Sequence, residues 1–489
     1  MKAATALLLM APWISLAQQY AIGEYVPNPQ NFPNAVVPGP GGAVWFLAIG
    51  VVGRVTPSGE ITMFKVPGEP SGLTAGPDGA IWFTYASAEG AIGRITTSGA
   101  VTNYPLPNPA SFPGSIAAGA DGALWFTDGG TNMIGRITTA GVATEYLIPT
   151  PDARPVSITR GPDNAMWFVD GPGDNDIGRI SLAGVVTEFP LPAGSSYVEN
   201  ITSGPDGALW FTTGQSIGRI TTSGAITEFP VTAGSPRSIT TGPDGALWFT
   251  LGGSLGRITA AGAITTYPLP QPSGALDITA GPDGELWFSG GTGYGGDYTP
   301  GLVGEFVFVT ANLSVTPSSG YFDQSLEFTG SGFAPNESVQ IYARGVGGSV
   351  LATATADASG SFTVSAVAPA SPDLFGAPRF LAGLGQSSAK LGAATFTMLP
   401  HLQVMPDSGA AGSTVSAVGY GFGSFEPVRI YRDNPRTYLG TVTADANGTF
   451  NGSAAFPFTV PSGAPPGADG VIGRGVYTAD TGTGPFTVE

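Results

Sequence analysis

Residues Ile201–Pro230 read ITSGPDGALWFTTGQSIGRITTSGAITEFP, and variants of this sentence recur along the chain up to Phe308. Ile201 and Thr202 belong to a short inner strand. Gly204-Pro205-Asp206-Gly207 is a turn, with Pro setting φ and Gly accepting positive φ. Ala208 to Thr212 makes a second strand that is apolar on both faces, as a strand covered on both sides must be. Ser216 to Ile220 is a third strand, and Thr221-Thr222-Ser223-Gly224 turns the chain into a fourth, Ala225 to Phe229. Nothing longer than a turn has helical periodicity, so the region is all-β.

Seven of the eight Trp residues mark the repeat: Trp45, Trp82, Trp125, Trp167, Trp210, Trp248 and Trp287, with gaps of 37, 43, 42, 43, 38 and 39 residues. A period near 40 with four short strands per unit is that of a β-propeller blade. Seven Trp predict seven blades. The last unit stops after a third strand at Leu302 to Phe308. Ala21 to Pro29 (AIGEYVPNP) resembles the fourth strand of the second unit, Ala100 to Pro107 (AVTNYPLP). The N-terminal strand is therefore expected to complete the seventh blade, which removes two open sheet edges.

Beyond Ala311 the period changes. Gly332-Phe333 is matched by Gly421-Phe422, and Val339-Gln340-Ile341-Tyr342 by Val428-Arg429-Ile430-Tyr431. Two copies of a β-rich unit of this size predict β-sandwiches, immunoglobulin-like in the broad sense. The expected organisation is an export signal over 1–17, a propeller over 18–311, and sandwiches over 312–399 and 400–489. DASGSF (357–362) and DANGTF (445–450) read as hairpin turns, with too few carboxylates for a calcium loop.

Composition narrows the chemistry. The chain of 489 residues has 75 Gly and 44 Pro, fitting a fold rich in turns, and 18 basic against 35 acidic residues, net −17. Nucleic-acid binding needs clustered Lys and Arg and is excluded. There is no Cys, which removes thiol catalysis, disulfides and thiolate metal sites. The sole His is His401, so a zinc site built on paired His is excluded. Lys2, the apolar run Ala3 to Leu16 and Ser15-Leu16-Ala17 predict a signal peptide cleaved before Gln18. No later stretch is apolar enough for a transmembrane anchor, and a secreted or cell-surface monomer is expected.

GPDGALWFT and IGRITTSGAITEFP make residues 20–310 resemble the virginiamycin B lyase (streptogramin B lyase) family. The resemblance implies a seven-bladed propeller. It also implies an enzyme that opens a cyclic depsipeptide antibiotic by elimination, with Mg²⁺ held by glutamates and a His as base. In active members a Glu often follows the WFT strand. The matching positions are Ala48, Tyr85, Asp128, Asp170, Thr213, Leu251 and Gly290, none of them Glu, and residues 1–400 contain no His.

Candidate residues sit where the symmetry breaks. Asp128 and Asp170, with Asp174 and Asp176 nearby, could hold Mg²⁺ or Ca²⁺ with water completing the shell, or could be solvated loop carboxylates; the second reading is favoured. Arg160 and Arg237 occupy or flank inner strands where other repeats carry small residues, Tyr85 and Tyr197 lie at loop positions, and all four could line a channel mouth for an acidic or aromatic ligand. Tyr85 is also an alternative base. The recurring Asp78, Asp121, Asp163, Asp206, Asp244 and Asp283 are read as turn chemistry. Arg54, Arg94, Arg136, Arg179, Arg219 and Arg257 are read as blade-to-blade packing groups, stacked on a Trp or paired with a carboxylate. Gly291 to Gly296 (GTGYGG) lacks the following helix that a dinucleotide loop needs, and His401 reads as a linker residue. These residues favour non-catalytic binding of a small molecule or cell-surface partner on the loop face, with the tail as spacer or adhesive arm. The alternatives are a Mg²⁺-dependent carbon–oxygen lyase and a purely structural display protein.

Overall fold

A computed structural model describes residues 20–25, 32–56, 60–85, 90–171, 176–269, 274–291, 301–320, 324–343, 349–368, 379–388, 390–422, 426–433, 436–445, 449–450, 454–462, 466–476 and 481–489. The expected signal peptide, Asp174 and Thr292 to Gly296 lie outside these. Every named element is a β-strand, and seven four-stranded sheets follow one another in the order of the repeats. Blade 5 consists of Val198–Ser203, Leu209–Thr213, Ser216–Ile220 and Ile226–Pro230. The seventh sheet contains Ala275–Ala280, Leu286–Gly290, Leu302–Phe308 and, outermost, Tyr20–Tyr25.

Burial follows from position in the blade. The second strands are buried at every residue, and the seven Trp are fully buried. The Trp-Phe dipeptide explains how they pack, because successive side chains of a strand point to opposite faces. Trp82 of blade 2 shares a core with Phe126 of blade 3, Trp125 with Phe168, Trp167 with Phe211, and Trp210 with Phe249. The hydrophobic cores therefore lie between blades. Fourth strands alternate half-buried and exposed residues, as outer strands should.

A single carboxylate locks five of the seven blades. In blade 5 Asp206 Oδ1 accepts from Trp210 Nε1 at 3.0 Å, and Oδ2 accepts from Arg219 Nε at 2.7 Å. The same three-residue bracket occurs in blades 2, 3, 4 and 6, with Asp–Arg distances of 2.6–2.7 Å. The recurrent Arg are thus paired inside their own blade, not between blades, and the recurrent Asp do more than shape a turn. Where the motif decays the bracket decays too. Blade 1 has Gly41 in place of the Asp, so Trp45 Nε1 turns to the carbonyl of Pro40 and Arg54 to Thr62 Oγ1. Blade 7 has Glu305 opposite Trp287 instead of Arg.

The inner strands surround a channel of about 380 Å³, and a polar belt links blade to blade along it. Thr84 Oγ1, the Thr of WFT in blade 2, accepts from Gly72 N at 2.8 Å and donates to Gly114 O of blade 3 at 2.6 Å. Asp277 of blade 7 accepts from Val36 N of blade 1 at 2.8 Å and from the Ser238 hydroxyl of blade 6, tying first and last blades of the ring. Burial pushes the Asp277 carboxyl up, and those hydrogen bonds pull it part of the way back.

Two compact units divide the chain, one of Gln30–Thr56 and Ile61–Phe306, the other built around Val307–Glu489. The second holds an eight-stranded sheet with its own core around Phe328, Ile341 and Phe396. It also holds a three-stranded and a five-stranded sheet that share a core of Val415, Ile430 and Phe486. Asp357 Oδ1 accepts from the Ser359 and Ser361 amides, a side-chain-capped hairpin turn. His401 is a strand residue rather than a linker, opening His401–Met405 and paired with Tyr420; half-burial lowers its imidazole pKa.

Two outcomes follow from the bracket. Asp206→Ala leaves the buried Trp210 N–H without its acceptor and should cost about 1–3 kcal/mol in denaturant unfolding. Asp78, Asp121, Asp163, Asp206 and Asp244 are each raised by burial but lowered more by the Trp and Arg hydrogen bonds, so all five titrate below the ordinary carboxylate value. Folding therefore favours their ionised forms. Their stabilisation is complete above the unfolded value of about 4 and is lost as pH falls through the lower folded values. Thermal melts should show Tm dropping below about pH 4, with a shallower drop in Asp206→Ala.

Candidate functional site

The two ends of the blades differ. The GPDG-type and TTSG-type turns occupy one end. At the other the second strands finish and the chain crosses to the next blade. Asp128 closes Leu124–Asp128, Asp170 follows Met166–Val169, and Tyr85 closes Ile81–Tyr85, all at the crossing end. Arg160 does not join them. It ends Ser157–Arg160 beside the turn at the opposite end, where it donates to Asn164 Oδ1. Its place in an inner strand hid which end it faced.

The sequence reading of Asp128 and Asp170 as solvated loop carboxylates does not hold, because both are fully buried. Asp128 Oδ1 accepts from three backbone amides, Phe112 at 2.8 Å, Gly130 at 3.1 Å and Thr131 at 3.3 Å. Its Oδ2 is buried with no hydrogen-bond partner. The strand register explains what it faces. Phe126 pairs with Gly135, and Gly135 with Glu145 of the fourth strand. Asp128 lies two residues beyond Phe126 on the same face, the Phe126 ring covers Gly135, and Glu145 is close enough to feel the Asp128 charge. Burial pushes the Glu145 carboxyl up, the Asp128 charge adds to this, and Ser111 draws it partly back.

The same register places Asn103 opposite Gly93 in blade 2, with Tyr85 two residues beyond Phe83, and Glu188 opposite Gly178 in blade 4. Glu188 Oε1 accepts from Thr150 N at 3.3 Å. Tyr85 is buried and donates to Asn103 Oδ1 at 3.1 Å, and burial pushes its phenol up to about 12. A phenol that stays protonated to that pH neither serves as a base near neutrality nor presents itself to a ligand. Tyr197 and Arg237 do remain exposed. The Tyr197 phenol is raised first by a hydrogen bond to Glu199 and then by its charge, while Arg237 pulls it down, so these three side chains form one cluster on blades 5 and 6.

Above Asp128 an open depression of about 580 Å³ is bordered by Ser111, Phe112, Gly130, Asn132, Asp152 and Arg154. Asn132, Asp152 and Arg154 all have positive φ, at 60°, 58° and 47°, and they are three of only five such non-glycine residues among those described. Left-handed backbone of this kind costs energy and is concentrated at functional sites. Sequence reasoning missed Glu145, Ser111 and this rim. Glu145 recurs as Glu188 and Glu228, so its repetition disguised it as scaffold.

The virginiamycin B lyase family profile matches residues 14–213 and 171–306. The chain belongs to the virginiamycin B lyase family. One similar structure is a catalytically inactive virginiamycin B lyase from Staphylococcus aureus, carrying a histidine-to-alanine substitution and solved with quinupristin. It is 36% identical, with TM-score 0.55 over 59% of this chain and 100% of that one. A streptogramin B lyase structure is 35% identical, with TM-score 0.54 over 59% of this chain and 97% of the other. No curated protein sequence matches significantly. The family match ends at Phe306, leaving the later residues without a counterpart in these lyases.

Tyr85→Phe removes one buried hydroxyl and its bond to Asn103. It should lower stability by about 1 kcal/mol in denaturant unfolding, with no change in any ligand affinity measured on the same protein.

Proposed function

We propose that the protein is an exported, non-catalytic member of the virginiamycin B lyase family that binds a ligand on the crossing end of its propeller. One observation carries this reading. Replacing a histidine with alanine accompanies loss of catalysis in the S. aureus relative, and residues 1–400 of this chain contain no histidine. General-base removal commonly forfeits ~10²–10⁴-fold in rate. Tyr85 does not replace it, since its proton is held to about pH 12. Nor does a Glu follow any WFT strand, so the glutamate and histidine set of the lyases finds no match here.

The depression at Ser111, Phe112 and Arg154 supports a binding role, since it is concave, mixed in polarity and rimmed by strained backbone. The exposed Tyr197–Glu199–Arg237 cluster offers an aromatic and a cation for ligand contact on neighbouring blades. In this reading residues 312–399 and 400–489 are two immunoglobulin-like modules acting as spacer or adhesive arm. No helix among the described residues is long and apolar enough to cross a membrane.

The test is incubation of the purified chain with a streptogramin B antibiotic and Mg²⁺, followed by chromatography, because elimination opens the ring without changing its mass. Turnover should not exceed the uncatalysed control. A new peak abolished by EDTA would overturn the non-catalytic reading.

A further inference from the structure

We propose that the outer face of the five-stranded sheet in the tail docks an acidic polysaccharide, with Arg429, Arg436 and Arg474 meeting its carboxylates and Tyr431 and Tyr438 its sugar rings. The proposal rests on the adhesive-arm part of the reading above and names the chemistry of what the arm holds. In Pro427–Arg432 the side chains of Val428 and Ile430 enter the core, so Arg429 and Tyr431 stand on the opposite face. Arg429 lies directly opposite Arg474 of Gly467–Gly475, and Tyr431 directly opposite Tyr438 of Thr437–Thr443. The two tyrosine rings are 5.6 Å apart, and the Arg436 guanidinium sits 5.2 Å from the Tyr431 ring centre. Tyr438 is 57% exposed, and all three arginines are exposed.

The arginine pair costs stability, because like charges directly opposite on adjacent strands repel. None of the three arginines joins the ion pairs of the described residues, although the chain holds 35 acidic residues against 18 basic. The eight-stranded sheet, the first copy of this unit, shows that the register folds without them. Gln340 and Leu384 stand there as Arg429 and Arg474 do here, and Tyr342 faces Val350 where Tyr431 faces Tyr438. In that copy Leu384, Ala382, Leu391 and Ala393 pack with Val307 and Val309. At the same register the second copy has Arg474, Ile472, Thr481 and Thr483, and Arg474 and both threonines are exposed. One copy of the face is apolar and covered by its own chain. The other is charged, hydroxylated and open.

The side chains select the partner. A guanidinium takes a carboxylate through two parallel N–H donors. A tyrosine offers an apolar ring to the C–H face of a pyranose and a hydroxyl to its polar edge. Nucleic acid carries a charge about every 1.7 Å along the duplex, which a chain of net −17 repels. Anionic lipid is held by clustered basic residues beside bulky apolar side chains. This face has no Lys and exposes no Trp, Phe or Leu among the described residues. A uronic-acid polymer, with a carboxylate on each ring and hydroxyls between, matches arginines, tyrosines and threonines together.

The experiment is interferometry of the full chain, in EDTA, on immobilised polygalacturonate, its methyl-esterified neutral counterpart, single-stranded DNA and phosphatidylglycerol vesicles. Polygalacturonate should bind, with affinity falling as NaCl is raised. Arg429→Gln with Arg474→Leu installs the first copy's pair, so the protein should melt no lower than wild type and bind at least about tenfold more weakly. Tyr438→Val, also the first copy's residue, should weaken binding as well. Lys65→Gln, an exposed cation of the propeller, should leave it unchanged. Equal binding to the methyl-esterified polymer keeps an adhesive arm but overturns the acidic partner. Preference for DNA or vesicles, or full binding by the double variant, overturns the proposal too. Binding to none of the four surfaces removes the proposal and leaves the propeller's ligand and its lack of turnover standing, since neither is read here.

Discussion

The carboxylate of the GPDG turn is the constraint on which the propeller depends. Its two oxygens take the indole N–H of the second strand and the guanidinium of the third, so a single side chain ties turn, second strand and third strand together. That holds the buried Trp of blades 2 to 6 in place, and the Trp is what the neighbouring blade packs against. A bracket of local hydrogen bonds thereby sets a non-local surface. This economy suits a chain poor in charge, because five of its Arg are spent inside blades where bonding and partial burial make them count for more than surface pairs would.

Blades 1 and 7 show what the ring does without the bracket. Trp45 falls back on a backbone carbonyl at 3.3 Å. In blade 7 Asp283 still accepts from Trp287, but Glu305 stands where the Arg would be. These are the blades where the circle closes. There the belt along the channel takes over, with Asp277 reaching both Val36 and Ser238. The exchange of a local bracket for an inter-blade one places a carboxyl link of the belt at the seam, where no continuous chain joins inner strand to inner strand.

Period, strand count and the buried Trp series were legible because they repeat, and repetition in sequence is repetition in structure. The strand limits in blade 5 moved by a residue or so, and the inner strand began earlier, at Val198. The candidate site was only half legible. Asp128 and Asp170 stood out as breaks in the pattern, yet their burial did not, since a residue ending a strand can point to solvent or beneath the next crossing segment. Tyr85 illustrates the same limit: its position was right for a mouth, but Asn103, 18 residues on, draws the hydroxyl inward. Arg160 was misplaced because strand direction decides the end of the blade, and direction depends on which turn precedes it.

A buried carboxylate is expensive unless something answers its charge, and blade 3 buries Asp128 with Glu145 half-buried at the facing register, as blade 4 buries Asp170 with Glu188, where blade 2 has Tyr85 and Asn103 and blade 6 has Leu251 and Thr266. The scaffold clearly folds with neutral residues at this register, so the acidic pair is not demanded by the architecture. Blade 3 also carries much of the left-handed backbone along its rim, a second cost that packing alone does not require. Two independent costs at the same end of blades 3 and 4, in a ring whose blades 2 and 6 carry neutral residues at this register, are difficult to ascribe to stability. They fit a place where binding energy offsets what folding loses, in keeping with the binding role proposed for this end of the propeller.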